Sequence, residues 1–137
     1  MTGDISSAPA SRACSLFSEL IECHWEQARE QFDAGLRGRM DTELLARAWG
    51  HMGNRGGMLE RMGDAATRQS GTQTVVDVPL VFHGGQGIGR VVLDADGKVT
   101  GLRWEHPRRH RIDPRRIGAF VIGNGTAEVR EALRLPF

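Results

Sequence analysis

Most features that announce a function are scarce in this sequence. No stretch approaches the run of about 18 apolar residues that a membrane-crossing helix needs. A helical membrane span is therefore excluded, and no membrane partner is expected. The opening segment, Met1 to Glu22, lacks the basic start and unbroken apolar block of a secretory signal, so a cytoplasmic setting is expected. Cysteine is limited to Cys14 and Cys23, which fall within one helical pattern. Their spacing corresponds to about 13 Å along an unbroken helix. A disulfide needs Cα atoms within about 7 Å, so these two are expected to be buried thiols, with no bridge and no redox or nucleophilic role. Lys98 is the single lysine among 18 basic residues, and it follows no phosphate-binding loop. The net charge of +1 gives no overall field that would draw nucleic acid or an acidic surface.

What remains is an ordinary globular composition with 39% apolar and 26% charged residues, in a chain of 137 residues with room for one core. The wealth of arginine and glycine suggests a bacterial genome of high GC content. From Ser11 to Phe32 apolar residues recur at Cys14, Phe17, Leu20, Ile21, Trp25, Ala28 and Phe32, the spacing of an amphipathic helix. A break near Cys23 and His24 would divide it in two. Asp33 to Met40, with Gly35 and Gly38, reads as a bend. Asp41 then caps a further helix whose buried stripe is Leu44, Leu45, Ala48, Trp49 and Met52, ended by the glycines from Gly53 onward.

Beyond Met58 the period changes to alternation. Met58 to Gln69 supplies a weakly patterned strand. In Thr74 to His83, Val76, Val78, Leu80 and Phe82 point one way, and Val75, Asp77, Pro79, Val81 and His83 point the other. Arg90 to Asp94 is a further strand, and the Asp96-Gly97 turn leads into Val99 to His106. Helices first and a meander second predict an α+β domain, with the helices against one face of a curved antiparallel sheet. The expected divisions are a flexible leader at 1–10, the folded domain at 11–107, and an extension at 108–137. That extension has a basic segment, a strand at Ala119 to Ile122 and a helix at Ala127 to Leu133.

The run Gly84-Gly85-Gln86-Gly87-Ile88-Gly89 resembles a nucleotide fingerprint only in richness. Its spacing differs from Gly-x-Gly-x-x-Gly, and it leads into a strand, so no helix amino terminus is there to hold phosphate. It is expected to be a hairpin, and no cofactor is implied.

Four segments, FDAGLRGRM, ELLARAWGHMGNRGG, VVDVPLVFHGG and RVVLDADGKVTGLRW, together resemble the bacterial domain of unknown function 3887. That domain belongs to the nuclear transport factor 2-like superfamily, which also holds SnoaL-like polyketide cyclases and ketosteroid isomerases. The likeness covers roughly Ser11 to Pro107. It implies a cone-shaped curved sheet wrapped around N-terminal helices and one pocket, often in a homodimer. It implies no single activity, because such folds serve as enzymes, binding proteins and adaptors.

Within such a pocket Asp77 is the candidate general base, because it interrupts Val75, Val76 and Val78 on a strand otherwise suited to burial. Facing solvent, or pairing across strands with Arg103, is the competing role. His24, at the helix break, and His83, on the strand face of Asp77, are the other candidate acid–base groups. Trp25, Trp49, Met58, Phe82 and Trp104, with Arg103, are the candidate ligand-binding residues, and core packing is the alternative for the apolar ones. His106 and His110 have a four-residue spacing but no completing ligands, so no metal is expected. The arginines of 108–116 form a basic cluster without stacking aromatics, so nucleic acid is not the expected partner. The expected function is binding of an apolar small molecule, with acid–base catalysis of the cyclase or isomerase type in bacterial specialised metabolism. A non-catalytic dimeric module, for interaction or ligand carriage, is the alternative.

Overall fold

The computed structural model describes residues 4–56, 59–82, 85–105, 119–123 and 127–134. Helix α1 spans Asp4–Ile21, so the first helix starts well inside the expected leader. Ala13, Leu16, Phe17 and Leu20 recur at three and four residues and are buried. The helix stops where Cys23 takes a left-handed backbone with φ 62°, a conformation that costs an L-residue and cannot continue a helix. Helix α2, Trp25–Glu30, follows, so the break foreseen near Cys23 and His24 is present.

Residues 33–40, expected as a bend, instead form the short helix α3 (Ala34–Arg39). Asp33 makes this possible by accepting a hydrogen bond from the Leu36 amide at 2.8 Å, while Leu36 is fully buried. Just before it the chain is stitched edgewise to the sheet, since Val99 N–H donates to Gln31 O and Asp33 N–H to Val99 O. Helix α4 runs Thr42–Gly56, and the Asp41 carboxylate caps it by accepting from the Leu44 amide at 2.8 Å.

The strands are β1 (Leu59–Met62), β2 (Ala66–Ser70), β3 (Gln73–Phe82), β4 (Gly85–Leu93), β5 (Val99–Glu105) and β6 (Ala119–Gly123). They form one open, curved antiparallel sheet in the order β1-β3-β4-β5-β6, with β2 also paired to β3. The single weak strand expected over 58–69 is thus two strands sharing one edge of β3. Pro79 accounts for the division. It has no N–H to give on that edge, and its carbonyl is taken by the Gly63 amide between β1 and β2. β6 extends the sheet beyond β5, so the C-terminal segment joins the same architecture.

Each face of the sheet carries its own apolar cluster. On one face Val76, Val78, Leu80, Phe82, Val91, Leu102 and Trp104 pack against α1 to α4. On the other, Val75 and Val92 pack against Val129, Ala132 and Leu133 of the terminal helix α5 (Ala127–Arg134). No helix among the described residues is long and apolar enough to cross a membrane.

Candidate functional site

The helical face of the sheet is an aromatic wall. Trp104, fully buried on β5, meets the ring of Trp49 edge-on at 5.6 Å, and Trp49 tilts against Phe17 at 6.0 Å. Such offset and edge contacts are the favourable arrangements of aromatic quadrupoles. Phe17 reaches this position because β4 has no side chain below it. A Cβ placed on Gly89 would stand 2.3 Å from Phe17 Cζ. Phe82 is buried in the same cluster, while Trp25 and Trp49 are half-buried at its margin.

The ionic chemistry lies on the opposite face. Asp77, Arg90 and Arg103 stand side by side on β3, β4 and β5, each directly opposite the next. Arg90 is fully buried and donates from Nε to Asp77 Oδ1 at 2.6 Å and from Nη2 to Oδ2 at 3.0 Å. This fork-to-fork pairing is the strongest geometry available to a carboxylate and a guanidinium. Arg68 on β2 lies 3.5 Å from Oδ2 on the outer side. The remaining nitrogen of Arg90 donates to the Ala132 and Leu133 carbonyls, at 3.2 and 3.4 Å, and Arg103 donates to Leu133 O at 2.6 Å.

Two expectations are corrected by this row. Asp77 does not face the wall of aromatic residues, and its partner across the strands is Arg90 and not Arg103. Strand alternation is the cause of the first, since Val76 and Val78 point to the helices and Asp77 must point away. Register is the cause of the second, since β4 lies between β3 and β5. Arg103 is likewise removed from the ligand wall, because Leu102 and Trp104 take that face.

His24 is exposed at the α1–α2 break, with Nδ1 2.9 Å from Glu19 Oε1. The left-handed turn at Cys23 directs it to solvent, so it does not join Asp77. His83 and Met58 lie outside the described residues, as do His106, His110 and the arginines of 108–116. Trp49, Phe82 and Trp104 are therefore brought together, whereas Asp77 and His24 are not.

Arg90 escaped the sequence reading, although a signal existed. Phe82 pairs with Gly85, and counting back along the alternating strands from that register places Arg90 opposite Asp77. A second polar network was also missed. Thr100 Oγ1 donates to Gln73 Oε1, while Gln73 Nε2 and Thr72 Oγ1 donate to the Glu128 carboxylate on α5. The buried polar residues among those described are Gln73, Arg90 and Thr100, and all three belong to the α5 side.

Two open hollows flank the Asp94–Lys98 turn, at the end of the sheet away from Phe82. One, of about 540 Å³, lies between Arg12 of α1, the β2–β3 turn and Asp96. The other, of about 640 Å³, lies between Arg29, Arg37 and Lys98. Both are polar-rimmed surface features and neither adjoins the aromatic wall. Comparison with family models, with curated proteins and with solved structures finds no match.

Proposed function

We propose that this protein binds an apolar small molecule against the aromatic wall, as a cytoplasmic, homodimeric cone-fold module that carries its ligand without acid–base chemistry. The observation that carries this reading is the division of labour between the sheet faces. The face lined by Phe17, Trp49, Phe82 and Trp104 is apolar, and every buried polar residue among those described serves the α5 side. An apolar ligand would gain burial and ring contact at the margin of this wall, where Trp25 and Trp49 are half-buried. A general base would need a lone pair directed at the ligand. The carboxylate of Asp77 is instead engaged by Arg90, which favours a carrying or interaction module over a cyclase or isomerase. Its setting would be bacterial specialised metabolism, where flat apolar intermediates are common cargo.

The test is a titration with the apolar fluorophore anilinonaphthalene sulfonate, followed by probe and tryptophan emission. Saturable binding is expected, weakened about tenfold by Trp49→Ala and unchanged by Leu44→Ala, an exposed site on the same helix. Equal binding by both variants, or none by the wild type, counts against the reading.

A further inference from the structure

The structure assigns α5 a second role, as the releasable occupant of a helix-receiving seat that also accepts the α5 of another copy of this chain. Four features make the seat. First, Val75 and Val92 form with Val129, Ala132 and Leu133 an apolar cluster separate from the main core. The helical side is thus complete without α5. Second, Gly101 clears the path of the helix, since a Cβ there would stand 2.8 Å from Val129 Cγ1 and 3.1 Å from Leu133 Cδ1. Third, Arg90 and Arg103 both donate to carbonyls of the last turn, which have no partner within the helix. Two cations at that end also match the negative pole of the helix dipole. Fourth, Glu128 in the first turn is held by Thr72 and Gln73.

The seat therefore reads a helix at both ends and at its middle. It asks for a carboxylate in the first turn, a valine, alanine and leucine on one face, and a final turn whose carbonyls meet two guanidiniums. The sequence that meets these demands is α5 itself, so the occupant in trans is the α5 of a second copy. The covalent link from β6 is short, passing from Gly123 to Ala127. Exchange of an identical helix reproduces every contact, so such a swap has little energetic barrier beyond release. Release itself is local, because α5 shares no apolar cluster with α1 to α4. This rests on the dimeric-module reading above, and its test reads the helix directly, so loss of exchange and loss of ligand binding are told apart.

The test uses full-length chains and a fluorescein-labelled peptide of residues 124–137. Leu133→Ala weakens the resident helix and leaves the seat unaltered. Labelled peptide is expected to bind the Leu133→Ala chain at least tenfold more tightly than the wild type, by fluorescence polarisation. Adding Arg103→Ala to Leu133→Ala should reverse most of that gain. In hydrogen exchange of the wild type, amides of α5 should exchange at least a hundredfold faster than those of β3 to β5. Exchange of α5 in step with the strands, or peptide binding that is absent or equal in wild type and Leu133→Ala, would overturn the proposal. Unchanged fluorophore binding by Leu133→Ala would confirm that the aromatic wall had survived the substitution.

Discussion

Arg90 lies directly across the β3–β4 pair from Asp77 and grips both oxygens of its carboxylate, with its own side chain wholly withdrawn from water. A buried guanidinium deprived of its anion is far more costly than the intact pair is stabilising. Asp77→Ala is therefore expected to lower unfolding free energy by about 3–5 kcal/mol in urea denaturation. The double variant Asp77→Leu, Arg90→Met removes the stranded charge and should lose less than the single one. It should not regain wild-type stability, because the carbonyls of Ala132 and Leu133 lose a donor. A single variant losing under 1 kcal/mol would show that water had reached the Arg90 guanidinium in place of the missing carboxylate.

The contact of Phe17 with Gly89 yields a second prediction. Alanine at position 89 would thrust its methyl into the ring, 2.3 Å from Cζ, so either α1 or β4 must move. Gly89→Ala should be destabilising by about 1–3 kcal/mol, as overpacked cores are. The loss should shrink when Phe17→Leu is introduced with it. A double-mutant cycle checks this: strong favourable coupling is expected, and strict additivity would mean that the two sites do not meet.

Much of the fold was legible because two periodicities are strong. Ala13, Leu16, Phe17 and Leu20 mark a helix face, and Val76, Val78, Leu80 and Phe82 mark a strand face. The same alternation already separated Phe82 from Asp77, so a pocket containing both was at odds with the pattern. Less legible were features decided by a single partner distant in sequence. Arg90 looks like one more charged residue until register sets it against Asp77, and Glu128 finds Thr72 only after α5 has crossed the sheet. The short helix α3 was hidden by Gly35 and Gly38, whose low helix propensity is outweighed by the Asp33 cap and the burial of Leu36. The division of β1 from β2 was written in Pro79, but on the neighbouring strand and not in the segment that divides.

The cap at Asp33 can be tested alone. Its carboxylate holds the Leu36 amide while its backbone joins the chain to Val99. Asp33→Ala removes the first and spares the second, and should cost about 1 kcal/mol. Asp33→Asn, which keeps an acceptor oxygen, should cost only a fraction of that. Thermal unfolding monitored by circular dichroism separates the two, and an equal loss from both would attribute the effect to charge and not to capping.

The two thiols should differ in reactivity and in their effect on alkaline stability. Cys23 is exposed at the left-handed turn, whereas Cys14 is half-buried on α1, and burial raises its pKa above the ordinary thiol value of 9.0. Thiolate is the nucleophile, so iodoacetamide at mildly alkaline pH should label Cys23 first and Cys14 slowly, as read by peptide mass spectrometry. The linkage has a definite sign. With the folded pKa above the unfolded one, the native state holds the proton longer as pH rises through that window. Stability is then full below the unfolded value and declines between the two, because unfolding releases the proton. Cys14→Ser should flatten this alkaline decline in urea midpoints measured from pH 8 to 10.5. A decline of the same slope in the variant would assign it to other groups, and faster labelling of Cys14 than of Cys23 would contradict the burial of its thiol against the core.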